Sequence, residues 1–323
     1  MSDRHILSLG CLGLVLLFVA SLFIGAGDLS FRTIANGEMD GEALRLLLVS
    51  RLPRTVAAML AGASLAVAGL LMQMLSSNRF VEPSTIGTTE AAGLGMVVVT
   101  LLAPGALIFV KALVAAGFAI AGTAVFLILI RRLRLKSGLL VPLVGLVLAG
   151  IIQAAAHFVA YRADLLQSLG AWSSGDFSMV LQGRYELLWI GAMLGSVALI
   201  AADRFTLAGL GRDVSVNLGL AYERVVALGL VIVSAIAAVT VATIGSIPFV
   251  GLVVPNLVTM TMGDNGRRIV PFVALWGAIL VLGCDVLGRL LRYPYEIPVS
   301  VIMGVAGSAL FLMLLARRRT AHG

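Results

Sequence analysis

Residues 51–75 read RLPRTVAAMLAGASLAVAGLLMQML, with two arginines at the mouth of an apolar run from Thr55 to Leu75. The run is long enough to cross a bilayer as a helix, which takes about 20 apolar residues. Arginines beside a span ordinarily mark its cytoplasmic end. The topology counted outward from this run puts Arg51 and Arg54 on the opposite side, so a charged pair in that position asks for a partner.

Further apolar segments fall at about 6–25, 85–104, 107–130, 139–160, 185–202, 224–244, 247–262, 270–287 and 297–315, which with 55–75 makes ten expected spans. The eighth is interrupted by Ile247-Pro248-Phe249 and contains Asn256, which allows a re-entrant segment there. The run from Ile6 to Ile24 exceeds a signal-peptide core and reads as a retained first span. With 60% hydrophobic and 12% charged residues and a mean hydropathy of +1.07, water does not solvate this chain, and the expected class is all-α and polytopic. The 36 glycines suit close helix packing in lipid.

With the N-terminus inside, 14 of the 23 basic residues fall on the cytoplasmic side, including Arg131 to Lys136 and Arg317 to Arg319. Eight fall outside (Arg32, Arg45, Arg51, Arg54, Arg162, Arg184, Arg289 and Arg292), and Lys111 lies near a span end. The excess predicts cytoplasmic N- and C-termini. It also accounts for the net charge of +7 without nucleic acid, since most cations stand in short links between spans.

No link is long enough to bury a core, so residues 1–323 are expected to form one membrane domain. There is no G-x-x-x-x-G-K-[ST] loop to cradle phosphates, so energy from ATP must come through a partner. Cys11 and Cys284 lie in apolar runs without metal-ligand spacing, and no metal, cofactor or catalytic residue is expected.

Two readings from other classes are weighed against transport driven by a partner. Gly62-Ala63-Ser64-Leu65 has the form of a serine nucleophile motif with His157 as a distant base, but a Gly/Ala/Ser packing face explains it without chemistry. A proton-driven transporter should carry more buried carboxylates than Asp285 alone.

In order and spacing, several motifs resemble the FecCD-type permeases of binding-protein-dependent importers for iron-siderophores and vitamin B12. They are Arg51-Leu52-Pro53-Arg54, then Gly62 to Gly69, Asn78 with Glu82-Pro83 and Gly87, Gly245-Ser246-Ile247-Pro248-Phe249-Val250-Gly251 through Pro255, Asp285 with Arg289, and Pro294-Tyr295-Glu296-Ile297-Pro298. The resemblance spans nearly the whole chain. The sequence departs from the family at Asn78-Arg79-Phe80, where Asn-Pro-Leu is usual, and at Asn256, where a His is usual. Pro255-Asn256, Met262-Gly263-Asp264-Asn265, Cys284-Asp285 and Tyr293 to Glu296 look like a subgroup that handles catecholate or mixed-catecholate siderophores.

The resemblance implies a type II ABC importer permease fold of about ten transmembrane helices in a bacterial inner membrane. It implies alternating access for an iron(III)-siderophore, with vitamin B12 or haem as the alternative cargo. The implied partners are a second permease, similar or identical, two ATPase subunits and a periplasmic or lipid-anchored binding protein. Docking of that protein is implied at Arg51, Arg54 and Arg289, whose guanidinium forks suit carboxylates. The same three side chains equally allow interfacial anchoring, or pairing with Glu42, Asp285 and Glu296, since Asp285 and Arg289 are one helical turn apart.

A cytoplasmic gate is implied at Asn78, Phe80, Ser137 and Gly138, positions that an ordinary loop also explains. ATPase coupling is implied at Leu210, Gly211, Arg212, Asp213, Leu218 and Gly219, within short helices at about 205–222; a passive amphipathic link is the other reading. Gln73, Gln153, His157, Asn256 and Asp285 are polar residues within spans and candidates for the pathway, although each also fits a bond between helices. Leu165 to Val180, with Trp172, is expected to carry a short outer helix beside the pore.

Overall fold

The computed structural model describes residues 3–25, 41–133, 140–263 and 265–320, and among them there is no strand. The helices are α1 (Asp3–Phe23), α2 (Gly41–Leu46), α3 (Leu52–Leu75), α4 (Thr88–Leu102), α5 (Ile108–Leu133), α6 (Leu140–Arg162) and α7 (Leu166–Ser173). They continue as α8 (Leu188–Ile200), α9 (Ala202–Ala208), α10 (Arg212–Asn217), α11 (Tyr222–Ile244), α12 (Val250–Met262), α13 (Gly266–Leu290) and α14 (Val299–Thr320).

Six of the helical stretches are long and apolar enough to span a membrane, α8 with α9 forms a further one bent by 69°, and α4, α12 and the Val299–Met313 part of α14 are shorter apolar helices. Together they coincide with the ten apolar segments read from the sequence. The shorter ones matter most. At 15 and 13 residues, α4 and α12 reach only about 22 and 20 Å, short of a hydrocarbon core of about 30 Å. Both begin inside the bundle. The eighth segment is thus a non-helical turn at Gly245 to Phe249 followed by a half-length helix.

The opening stretch differs from its expectation of a helix beginning after the arginines. The chain is already helical from Gly41, and Arg51-Leu52-Pro53-Arg54 lies within a continuous rod whose residues 47–51 form a π-turn. Pro53 is the physical reason. It has no N–H to give to the carbonyl of Val49, so the ladder widens there, and Leu52 N–H bonds instead to Leu47 O. The freed Val49 carbonyl accepts from Gln182 N–H at 3.1 Å, so no buried acceptor is stranded.

α3 is the centre of the molecule. It packs on α13, α12, α8 and α11, and its small residues set how closely they approach. A Cβ added at Gly62 would lie 2.3 Å from Gly277 O on α13, and one at Gly69 would lie 2.1 Å from Gly251 Cα on α12. Backbone therefore meets backbone at two levels of one helix. α1 leans on α13, where the Arg268 guanidinium bonds Asp3 Oδ2 at 2.6 Å and holds that carboxyl below its usual range. α5 and α6 instead present exposed leucine, isoleucine and phenylalanine to the outside, as lipid or a neighbouring subunit requires.

Replacing Gly69 by Val should destabilise the fold by at least about 1–3 kcal/mol through overpacking. Thermal unfolding in detergent should register a lower midpoint, whereas Gly117→Val, where an added Cβ meets nothing within 4 Å, should leave it in place.

Candidate functional site

At one end of the bundle the three sequence-predicted arginines come together. Arg54, in the first turn of α3, gives Nε and Nη2 to Asp285 Oδ1 at 3.2 and 2.8 Å and Nη1 to Glu296 Oε2 at 2.7 Å. Arg289 lies one turn beyond Asp285 on α13 and gives Nη2 to its Oδ2 at 2.7 Å. Its other donors meet the Asp285 carbonyl, Ser21 O, Ser21 Oγ and Ile24 O, so five N–H groups find five acceptors. Two of those acceptors are carbonyls at the end of α1, where a cation also complements the helix dipole. Asp285 is thus clasped by two guanidiniums and fully buried, the arrangement that an ion in an apolar interior requires.

The arginines are not equally available. Arg289 is 3% exposed, and its donors are spent inside. The buried Arg51 lies over Gly25, where an added Cβ would stand 2.6 Å from Nη1. Arg54 reaches the surface only beside Glu296, whose side chain is 26% exposed. Arg292 is an exposed charge of this end, stacked over the Tyr295 ring at 5.7 Å and next to exposed Tyr293. Sequence reasoning placed Arg292 on the same side but gave it no role; its neighbourhood of exposed tyrosines was the available signal.

Deeper in the bundle, the segment after α3 is gripped by α12. Glu82, 2% exposed, accepts from Phe249 N–H at 2.8 Å and Ser84 Oγ at 2.6 Å through Oε1, with Gly251 and Leu252 N–H also directed at the carboxylate. This carboxylate closes the N-terminus of a helix that starts inside the bundle, where its orphan N–H groups would otherwise be unmet. Two turns along α12, Asn256 Nδ2 donates to Arg79 O at 2.8 Å and Leu252 O at 2.7 Å. Asn78 Oδ1 accepts from Phe80 N at 2.9 Å, and the Phe80 ring meets Phe311 of α14 edge-on at 6.0 Å. The two departures from the family pattern, at 78–80 and at 256, therefore touch each other. Ser137 and Gly138, the other half of the expected gate, lie outside the described residues. In the sequence Glu82 stands only as part of a family motif, and the Glu-Pro pair in an apolar neighbourhood is the signal of its burial.

The five candidate pathway residues separate into two groups. Gln73 donates to Gly251 O at 3.2 Å, Asn256 holds Arg79, and Asp285 belongs to the arginine clasp, so these three tie the bundle together. Gln153 and His157 stand on the exposed face of α6 and border a small cavity. The buried Ser64 hydroxyl packs against Gly191 and has no hydrogen-bond partner among the described residues, so no base activates it.

The link after α8 forms two short helices, α9 and α10, separated at Gly211 with φ +98° and closed at Gly219 with φ +81°. Buried Ser215 fastens them, giving its hydroxyl to Leu207 O at 2.7 Å and Gly211 O at 2.6 Å. Arg212 pairs with Glu223 at 3.1 Å, and Asp213 is exposed. Leu210, Val214, Val216 and Leu218 are all exposed on this link, an apolar group beside charges that fits a protein groove.

The chain matches the FecCD transport family over residues 13–317. It is 44% identical over 306 residues to the petrobactin import system permease protein YclN of Bacillus subtilis, covering 95% of this chain and 96% of that one. It is 38% identical over 301 residues to the ferric-anguibactin transport system permease protein FatD of Vibrio anguillarum, covering 93% and 95% of the two chains. Permeases named for vitamin B12 and hemin are less similar. Among solved structures, a metal-chelate type ABC transporter in an inward-facing conformation superposes with a TM-score of 0.81 at 26% identity, over 97% of this chain and 99% of that one. With the family matched along nearly its whole length and the fold shared with an ABC importer permease, the chain belongs to the FecCD transport family and is a multi-pass permease subunit, a transport protein and not an enzyme.

Proposed function

We propose that this permease carries an iron(III)-siderophore of catecholate type across the cytoplasmic membrane by alternating access. The observation that carries the substrate class is near-full-length similarity to permeases named for petrobactin and ferric-anguibactin, in a chain that also bears the catecholate-subgroup motifs. Vitamin B12 and haem rest on more distant relatives. The single membrane domain pairs with a second permease, a similar chain or another copy, and with two ATPase subunits and a binding protein. Both termini face the cytoplasm, which puts the arginine end outside and the α9–α10 link inside.

Docking falls to the arginine end. Arg51 and Arg54 form its charged floor, Arg292 with Tyr293 and Tyr295 its exposed rim, and Arg289 acts from beneath by fixing Asp285. Glu296 holds the place that a carboxylate of the binding protein would take on Arg54. The segment Asn78 to Phe80, clamped by Asn256 and closed by Phe80 against Phe311, forms the described part of the gate. Leu210, Gly211, Arg212, Asp213, Leu218 and Gly219 engage the ATPase.

Three measurements test these assignments. In the purified complex, Arg54→Glu should weaken binding-protein affinity by at least about tenfold, and Glu296→Gln should strengthen it by freeing the guanidinium; equal weakening by both would mean that the cluster only supports the fold. Leu210→Glu with Leu218→Glu should abolish co-purification of the ATPase while the permease still folds, as judged by its thermal midpoint. Asn256→Ala should raise passive leakage of preloaded iron chelate from proteoliposomes, because the Arg79 carbonyl then loses its tether.

A further inference from the structure

The cavity bordered by Gln153 and His157 has a third polar wall that no part of the transport assignment uses. Glu90 stands in the first turn of α4, deep in the bundle because α4 is a half-length helix. Its Oε2 accepts from the Thr89 hydroxyl at 3.0 Å, and among the described residues no basic side chain pairs with it. The two carboxylates buried among the described residues are fully answered: Asp285 by two guanidiniums, and Glu82 by backbone N–H groups and a hydroxyl. A carboxylate set within a membrane bundle and met by one hydroxyl and its own N–H, with no cation beside it among the described residues, is costly, which makes a cationic ligand its natural partner.

The rest of the cavity favours one kind of ligand. Its volume is about 110 Å³, and Thr89, Glu90, Gln153, His157, Trp172 and Ser246 contribute to its walls. His157 Nδ1 lies 2.9 Å from Gln153 O and donates to that carbonyl, which leaves Nε2 as the ring nitrogen open to the cavity and, in the neutral tautomer, an acceptor. Carboxylate and imidazole thus both seek N–H or O–H donors, and the Trp172 ring favours a cation. A catecholate or any other anion would be repelled by Glu90. The volume admits several water-sized groups, enough for one side arm and not for a whole chelate.

The walls are also rigid. Ser246 N–H bonds Trp172 O at 3.1 Å and Asp176 N–H bonds Ile244 O at 2.9 Å, which fixes the end of α7 to the turn between α11 and α12. Two of the lining residues, Gln153 and His157, are exposed on α6, so the cavity borders the face that a cargo or a second permease would meet.

We propose that this cavity is a subsite on the translocation path for a protonated-amine arm of the transported chelate, with Glu90 as its counter-ion and Trp172 as its aromatic wall. The inference rests on the siderophore reading given above. It is tested with the complete importer in proteoliposomes, using two iron(III) chelates that share one catecholate core, one with a protonatable amine in a side arm and one with that amine acetylated. The quantity read is the ratio of radiolabelled iron uptake for the two chelates, in wild type and in Glu90→Gln. Comparing the two proteins with the same binding protein cancels that protein's own selectivity, and a ratio is insensitive to how much of the variant folds.

The wild-type ratio should fall by about fivefold or more in Glu90→Gln, the worth of one desolvated cation contact, and should fall also in Trp172→Leu. An unchanged ratio in Glu90→Gln would overturn the subsite, and so would an equal loss of both chelates, which marks a structural or proton-carrying role for Glu90. If wild type carries neither chelate, the siderophore reading itself is overturned and this inference goes with it.

Discussion

A helix that begins inside a membrane bundle exposes N–H groups to a medium that cannot solvate them, and in this chain the Glu82 carboxylate answers that constraint for α12. Much of the interior depends on this contact. Without it the turn at Gly245 to Phe249 would leave donors unmet, and Phe249 would have no reason to hold its left-handed φ of +67°. With it, α12 can stop half-way, its Gly251 can rest on Gly69 of α3, and the deep space beside α4 and α7 stays open. One charged side chain thus permits a broken helix, and the broken helix makes room for a path.

The arginine end follows the same logic with opposite charges. Asp285 sits between Arg54 and Arg289, and these contacts join α1, α3 and α13 at one point. Adding Glu296 and Arg51 gives three cations and two anions, so the cluster keeps one excess positive charge while Asp285, Arg54 and Arg289 are matched to one another. A net charge at an end that is otherwise satisfied suits reversible recognition. Under the docking proposed above, such a site would attract an acidic partner without depending on it for stability, as a partner that leaves in every cycle requires.

The fold was largely legible because hydropathy alone separates ten apolar segments, and small residues mark the faces that meet. Topology and motif also place Arg51, Arg54 and Arg289 on one side of the membrane, and the structure brings them to one end of the bundle. What periodicity could not reveal was the use of each polar group. Asn256 and Gln73 look like pathway residues in sequence, because a polar side chain in an apolar run carries no sign of whether it faces a channel or a neighbouring carbonyl. The π-turn before Pro53 was hidden for a related reason: an apolar segment shows where a span lies, whereas the ladder around a proline depends on which donor, here Gln182, reaches the freed carbonyl from another part of the chain. Glu90 and Glu82 are alike as residues, and only the fold separates the carboxylate met by several N–H groups of α12 from the one that has no cation beside it.

The same accounting indicates how the two ends of the proposed cycle are joined. The glycine contacts of α3 with α12 and α13 leave no room for sliding, because backbone there touches backbone. Under the coupling proposed above, motion of the α9–α10 link would have to travel by another route, and a chain of contacts leads from it. Ser215 binds α10 to α9, α9 rests on α3, α11 and α13, and Ser77 Oγ donates to Gly209 O at 3.0 Å just before Leu210. Ser77 directly precedes Asn78, whose side chain sets Phe80 against Phe311. Two hydrogen bonds, Ser77 to Gly209 and Phe80 to Asn78, thus join the exposed apolar link to the aromatic contact. Asn256 pulls on the same few residues from the rigid side, so Arg79 lies between an anchor and a lever, which is where a small displacement has most effect on a gate.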